Sequence, residues 1–186
     1  MFLRTGWPVR GHHTRAHMDR YHRRVPDPNL LLSFANTAGA GPETDLLSTR
    51  EEAAAWLAAA DLLPAESRLS GSDHSALLRL RDSLRDVLAA HTGGRADADA
   101  AARLTRALAD GRLVLTVDPA STIGLASAAR ASYSNTVALV AVAVAASAAA
   151  GTWRRLKACA APGCGQAFYD DSAAGAGTRC EAHSDR

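Results

Sequence analysis

The stretch CAAPGCGQAFYDDSAAGAGTRCEAH, residues 159 to 183, contains all three cysteines of the 186-residue chain and a late histidine. Cys159 and Cys164 form a pair with four residues between them, and Cys180 and His183 form a second pair with two residues between them. Zinc sites commonly take their four ligands from two such pairs, each on a tight turn. The spacing therefore predicts a Cys3His zinc site that decides how this end of the chain folds. The alternative is a set of free thiols beside a histidine in a frayed terminus.

The residues around the pairs fit this prediction. Pro162 and Gly163 let the chain turn back just before Cys164, and Gln166 to Tyr169 read as a short strand. The following DDSAAGAGT, residues 170–178, predicts a mobile loop. A structural zinc is favoured over a catalytic one, because no carboxylate is spaced like the glutamate of a zinc deaminase. Three grouped cysteines without a readable secretory signal predict a reducing cytoplasm, where metal binding is commoner than a disulfide.

Upstream of the cysteines, apolar residues recur at helical spacing. In the segment LLSTREEAAAWLAAADLLP, residues 46–64, Ser48 and Glu51 have the spacing of a capping box at a helix start. Pro64 then stops the helix.

A longer helix is predicted in the segment SDHSALLRLRDSLRDVLAAHTGG, with Ser72 or Asp73 as its N-cap and leucines along one face. Arg81 and Arg85 lie one turn apart on the other side and are interpreted as a solvated charged face. His91, near the helix end, is interpreted as a favourable C-terminal charge rather than a ligand.

Three further elements complete the pattern. A helix is predicted from Asp97 to Leu108, and the alternation of RLVLTVDPASTIGLAS predicts a small hairpin that turns at Asp118-Pro119. The next helix, which ends at Ala149, carries valines all around its circumference and is therefore expected in the middle of the domain.

This order of elements predicts an α+β, mainly helical fold. We expect a helical N-terminal domain with a small β-hairpin, plus a small C-terminal zinc-finger module. The predicted divisions are a disordered basic tail over residues 1–27, a helical or mixed domain over 28–152 and the finger over 153–186.

Two groups of residues resemble a known family. The order TWRRLKAC…C…FYDDS…RC resembles the CGNR zinc finger. LSFANT followed by DLLSTREEAAAWLAAADLLP resembles the ABATE domain, which precedes this finger in stress-induced bacterial transcription regulators. The resemblance covers most of the chain from residue 28. It implies a mixed helix-and-strand N-terminal domain, a zinc-bearing C-terminal finger, and DNA binding in response to a stress signal.

The resemblance also assigns residues. The first three ligands of the finger match Cys159, Cys164 and Cys180. Asn36 and Thr37 match the Asn-Thr pair of the ABATE domain and are the candidates for ligand binding. The fourth cysteine of the family lies in a Cys-Gly-Asn-Arg box, whereas this chain ends in CEAHSDR. His183 can take that place; otherwise the fourth position is open or the metal is absent.

The charge distribution gives DNA binding little support. The formal net charge is +2, and the stretch from Trp153 to the end has five basic and four acidic residues. Affinity for DNA comes largely from Lys and Arg that neutralise phosphates. The candidates for such contacts are Arg154, Arg155, Lys157 and Arg179. The first three could equally be a solvated cluster at a helix end.

The leading functional prediction is a cytoplasmic transcription regulator that binds DNA weakly through its zinc finger, or as a homodimer whose paired fingers add their contacts. The alternative is a sensor module that binds a small molecule or a partner protein, with purely structural zinc. No enzymatic activity is predicted, because lone polar residues near helix ends are usually caps. No membrane partner is predicted either, because the apolar centre of residues 131–153 is too short for a span.

Overall fold

The computed structural model describes residues 29–39, 44–129 and 132–184. The described helices are α1 (Asn29–Ala35), α2 (Arg50–Ala59), α3 (Gly71–Gly93), α4 (Ala98–Leu108) and α5 (Tyr133–Ala149). Two antiparallel two-stranded sheets pair β1 (Leu113–Val117) with β2 (Ile123–Ser127) and β3 (Leu156–Ala158) with β4 (Ala167–Tyr169). The α+β, mainly helical fold class is confirmed. The predicted tail, residues 1–27, lies outside the described residues, and the domain boundaries stay predictions.

Helix α2 begins at a capping box, one residue later than predicted. The Thr49 hydroxyl accepts a hydrogen bond from the Glu52 N–H at 3.1 Å, and the Glu52 carboxylate accepts one from the Thr49 N–H at 3.0 Å. The predicted pair of Ser48 and Glu51 was therefore wrong. The Ser48 hydroxyl instead donates to the same Glu52 carboxylate, and these hydrogen bonds lower the pKa of Glu52.

Helix α3 also begins at a capping box, upstream of the predicted N-caps Ser72 and Asp73. Ser70 is the N-cap, and its hydroxyl accepts from the Asp73 N–H at 3.1 Å while Asp73 accepts from the Ser70 N–H at 3.2 Å. The helix ends at Gly93, followed by Gly94 in the left-handed conformation (φ 64°) that glycine adopts without strain.

The hydrophobic core is built around the apolar face of α3. Its leucines Leu77, Leu80, Leu84 and Leu88 are fully buried. They share one cluster with Phe34 of α1 and with residues of α2, α4, α5, β3 and β4. Helix α3 therefore lies at the centre of the molecule.

The other face of α3 is not the solvated charged face that the sequence predicts. Arg81 is only 5% exposed, and its Nη1 lies 2.7 Å from the Asp45 carboxylate. Arg85 donates from Nη1 to the carbonyl of Ala35 at 2.8 Å. The prediction failed because the segments before α2 pack against this face, and both arginines have partners distant in sequence.

The predicted hairpin and the helix that follows it are confirmed. Strands β1 and β2 pair in register from Leu113 opposite Ser127 to Val117 opposite Ile123. Helix α5 is buried through Val137 and Val140, but Ala145, Ala148 and Ala149 near its end are exposed, so the expectation of burial on every side holds only for its first part. None of the described helices is long and apolar enough to cross a membrane.

Strand β3 packs directly on α3, and β4 packs on α1. His91 donates from Nδ1 to the Leu156 carbonyl at 2.8 Å, and the Thr92 hydroxyl donates to the Ala158 carbonyl at 2.6 Å. Burial lowers the pKa of His91 and outweighs the opposing effect of its hydrogen bond to Leu156. The structure gives His91 a role that the sequence did not predict: its ring holds strand β3 against α3.

Candidate metal centre

The hairpin of β3 and β4 positions the first cysteine pair. The Cys159 N–H donates to the Gln166 carbonyl at 2.8 Å, and the Cys164 N–H donates to the Ala161 carbonyl at 3.0 Å. Gly163 between these strands has a φ of 75°, in the left-handed region that favours glycine. The turn predicted from Pro162 and Gly163 therefore brings the two sulfur atoms to the same side of the hairpin.

The second pair lies on a single helical turn. Cys180 precedes the 3-10 helix Glu181–His183, and the His183 N–H donates to the Cys180 carbonyl at 2.9 Å. This turn places the imidazole next to the sulfur of Cys180. The Ala160 N–H donates to the Thr178 carbonyl at 2.9 Å, which ties the segment before Cys180 to the first pair.

The four predicted ligands come together in space. The ligand atoms of Cys159, Cys164, Cys180 and His183 all lie within 4.8 Å of one another. The Sγ atoms of Cys164 and Cys180 are 3.9 Å apart, and Nδ1 of His183 lies 3.4 Å from Sγ of Cys180 and 3.8 Å from Sγ of Cys159.

These distances can be compared with a tetrahedral zinc site. Zinc–sulfur bonds of about 2.3 Å and zinc–nitrogen bonds of about 2.0 Å separate two sulfurs by about 3.8 Å and a sulfur from a nitrogen by about 3.5 Å. The three distances above agree with these values, and all three cysteines are free thiols. The cluster can therefore bind a metal ion with four ligands.

The protonation of the thiols also favours a cation. Burial raises the pKa of Cys159, but hydrogen bonds from the backbone of Cys180 and Ala161 outweigh it and lower the pKa to about 7. Burial raises the pKa of Cys180, and the neighbouring sulfurs of Cys159 and Cys164 raise it further. Three crowded sulfurs resist carrying three negative charges, and a cation between them would remove that repulsion.

A buried ion pair that the sequence did not reveal supports the cluster. Lys157 and Asp170 are 4% and 3% exposed, and Nζ of Lys157 lies 2.6 Å from the Asp170 carboxylate. The same ammonium donates to the carbonyls of Gly175 at 2.7 Å and Gly177 at 2.8 Å. The predicted mobile loop is therefore anchored, and it leads directly to Cys180.

The carboxylate of Asp170 organises the start of this loop. Its Oδ1 accepts from the N–H and hydroxyl of Ser172, and its Oδ2 accepts from the Gly177 N–H at 2.9 Å. Burial alone would raise the pKa of Asp170, but the hydrogen bonds from Lys157, Ser172 and Gly177 hold it well below its ordinary value. A Cβ atom at Gly177 would lie 2.6 Å from Oδ1 of Asp170, so the contact requires glycine.

Two of the four residues proposed to contact DNA have structural roles instead. Lys157 is buried and uses its ammonium on Asp170 and the loop carbonyls, so it is not available to a phosphate. Arg155 is half-buried, and its Nη1 donates to the carbonyls of Asp170 and Ser172. Arg154 and Arg179 are exposed.

The Asn-Thr pair joins parts of the fold, and its role in ligand binding stays a prediction. The Asn36 side chain accepts from the Ala167 N–H at 2.7 Å and donates to the Ala167 carbonyl at 2.9 Å. Thr37 is fully buried, and its hydroxyl donates to the Phe34 carbonyl at 2.7 Å. Asn36 therefore acts as an extra strand partner for β4, and Thr37 is closed to solvent.

A cleft of about 480 Å³ lies beside the cluster, between α3 and the β3–β4 turn. Its lining includes Arg85, Cys164 and His183, and none of its described lining residues is acidic. A Cβ atom at Gly165 would lie 3.0 Å from Nη2 of Arg85, so glycine lets the turn approach the guanidinium closely.

A mainly helical domain with a docked Cys3His cluster that could hold a metal ion defines a protein of the zinc-finger-like class. A family model, ABATE, described as "Putative stress-induced transcription regulator", matches residues 28–153. The chain belongs to this family, and the Cys3His cluster fits the zinc-finger-like module that follows the matched region. A search of curated proteins found no match.

Proposed function

We propose that this protein is a transcription regulator that binds DNA and holds one structural Zn²⁺ in its C-terminal module. The observation that carries the proposal is the Cys3His cluster next to a domain of a family described as regulatory. Thiolate and imidazole donors at tetrahedral spacing favour zinc over magnesium or calcium, which take oxygen ligands. In the cytoplasm the thiols would stay reduced and available to the metal.

The proposed zinc is structural and the protein is not an enzyme. Four protein ligands fill a tetrahedral shell, whereas catalytic zinc keeps a position for water or substrate. Three polar residues of the helical domain make structural contacts: Asn36, which also lines the cleft, binds β4, Asp45 pairs with Arg81, and His91 binds Leu156. These contacts favour a regulatory role over catalysis.

The DNA-binding surface in this proposal is small. Arg154 and Arg179 are the exposed members of the predicted set, whereas Arg155 and Lys157 hold the loop. Few phosphate contacts mean weak binding that depends modestly on salt, because each neutralised phosphate changes the slope of log K against log salt by about 0.9. Pairing of two fingers would double the number of contacts.

Arg154→Ala is expected to weaken DNA binding about tenfold at low salt and to reduce the salt slope by about 1, because one phosphate contact is lost. Fluorescence titration of genomic fragments at several salt concentrations measures both quantities. Arg68→Ala, which removes an exposed arginine remote from the finger, is the matched control and should leave both unchanged. Wild-type binding no stronger than that of a neutral control protein would rule out the proposal.

A second candidate function is a sensor whose helical domain binds a small anion, and the cleft beside the cluster favours it. Arg85 is the cationic group in a lining with no described acid, and it uses Nη1 on Ala35 while Nη2 lies near Gly165. A planar guanidinium at the wall of a cleft suits a carboxylate or phosphate. A ligand there would touch the domain and the metal cluster together.

Inorganic phosphate or succinate at millimolar concentration is expected to raise the melting temperature of the wild-type protein by a few degrees, because a ligand that binds the folded state stabilises it. The shift should disappear in Arg85→Gln and persist in Arg103→Gln, which removes an exposed arginine on α4. An equal shift in Arg85→Gln would reject the cleft as the binding site.

A further inference from the structure

The β1–β2 hairpin presents one apolar face. Directly opposite residues of an antiparallel pair share a face, and so do residues two apart on one strand. The register of Leu115 with Leu125 and of Val117 with Ile123 therefore places five apolar side chains together. They are Leu113, Leu115, Val117, Ile123 and Leu125, which we call the hairpin face.

The hairpin face is open to solvent. Leu115, Val117 and Ile123 are 66%, 65% and 67% exposed, and Leu113 and Leu125 are 39% and 42% exposed. Single exposed apolar residues are ordinary on the surface of a monomer, but the five apolar residues of the hairpin face adjoin one another.

The opposite face of the hairpin lies toward the rest of the protein. Thr116, Gly124 and Ala126 on this face are half-buried, Val114 at its end is 41% exposed, and β2 packs beside α5. Gly111, just before β1, approaches α5 so closely that a Cβ atom would lie 2.9 Å from the Ala138 nitrogen. The hairpin is thus held mainly through its small residues, and five of its six large apolar residues lie on the outward face.

This arrangement reverses what a solvated hairpin requires. A sheet with one wet face normally alternates polar residues outward and apolar residues inward. Neither LVLTV nor IGLAS contains a charged residue, although charges are the common protection of exposed strands. The pattern points to a face that another protein surface covers.

We propose that the hairpin face packs against the same face of a second copy of this chain. The five side chains present on the order of 400 to 500 Å² to solvent, so a symmetric pair would bury roughly 1,000 Å² with its surrounding rim, the size a specific interface needs. A twofold axis brings a patch onto its own copy. An uncharged face can do this without like-charge repulsion, whereas it offers a charged partner nothing to recognise.

The pairing is independent of DNA and metal. Its interface contains none of the four metal-ligand residues and none of the candidate DNA contacts. A failure of the DNA-binding proposal would therefore leave the pairing proposal intact, and a failure of the pairing proposal would leave the DNA-binding proposal intact.

Sedimentation equilibrium of the full-length protein, without DNA, tests the proposal. The wild type is expected to be a dimer at micromolar concentration. Leu115→Glu should raise the dimer dissociation constant on the order of a hundredfold, because each dimer loses two buried leucines and gains two opposed charges. Leu46→Glu is the matched control, since Leu46 is 54% exposed and lies outside the hairpin, and it should remain a dimer.

The variant Leu115→Thr guards against misfolding, because threonine keeps the strand preference and should still weaken the dimer about tenfold. Circular dichroism would establish that each variant keeps its helices. A monomeric wild type overturns the proposal, whichever other surface then covers the hairpin face. A dimer whose dissociation constant stays at the wild-type value in both Leu115→Glu and Leu115→Thr also overturns it.

Discussion

Removal of the proposed zinc from the 186-residue chain is expected to unfold residues 159–184 first, at a cost on the order of 10 kcal/mol of folding free energy. The apolar residues that the C-terminal module contributes to the core, such as Leu156 and Ala167, lie on the strands β3 and β4, which pack on α3 and α1. The segment from Asp170 to His183 is held mainly by polar contacts and by the ligands themselves. Metal binding and the folding of this segment should therefore occur together.

Elemental analysis and cobalt substitution measure the effect. The wild type should contain one zinc per chain, and its cobalt form should show strong thiolate charge-transfer absorption. Cys164→Ser and His183→Ala should each weaken the metal affinity by two orders of magnitude or more, because a tetrahedral site loses a ligand. His183→Cys should restore most of the affinity that His183→Ala loses, since a thiolate at this position can complete a four-cysteine site.

Two outcomes would contradict this account. Purified protein without bound metal but with an ordered C-terminal segment would show that the cluster does not need an ion. Full metal affinity in His183→Ala would show that the fourth ligand comes from another residue. Trp153 lies just before β3 and Tyr169 is the last residue of β4. Their near-ultraviolet circular dichroism shows in both cases whether the C-terminal segment is ordered.

Local signals in the sequence predicted much of the fold. Apolar periodicity located the helices α2 to α5 and the β1–β2 hairpin, because those signals act within one or two turns of the chain. The capping signals did not fix the first residue of each helix. In STREE, the pairs Ser48–Glu51 and Thr49–Glu52 have the same spacing, and the sequence alone does not say which of them the helix uses.

The candidate metal ligands were predictable for a different reason. Cysteines are rare in this chain, and the spacing of the two pairs is itself the signal for a metal site. The structure brings the four side chains together as that spacing implies.

The buried charges were not predictable from local patterns. Arg81 pairs with Asp45, 36 residues away, and Arg85 binds Ala35, 50 residues away. Lys157 lies beside two arginines and looked like part of a basic cluster, yet the pleat of β3 turns it inward to Asp170. Such contacts depend on tertiary packing, which periodicity and capping signals do not encode.

Asp170→Ala is expected to destabilise the C-terminal module by about 3 kcal/mol at neutral pH. It leaves the Lys157 ammonium buried without its counter-ion and removes the acceptor for Ser172 and Gly177. The pKa of Asp170 is lower in the folded than in the unfolded protein, so its contribution is complete above about pH 4 and is lost only as the pH falls further. Because metal binding is coupled to folding, the zinc affinity should fall about a hundredfold, which competition with a chelator measures.

Two comparisons isolate the ion pair as the cause. Asp171→Ala removes the neighbouring exposed carboxylate and should leave the zinc affinity unchanged within about threefold. Adding Lys157→Met to Asp170→Ala should recover part of the loss, because no uncompensated charge then remains in the interior. Suppose that Lys157→Met lowers the zinc affinity by the same factor in the wild type and in Asp170→Ala. The two residues would then act independently. The loop that carries Cys180 would then be held by its backbone contacts rather than by this pair.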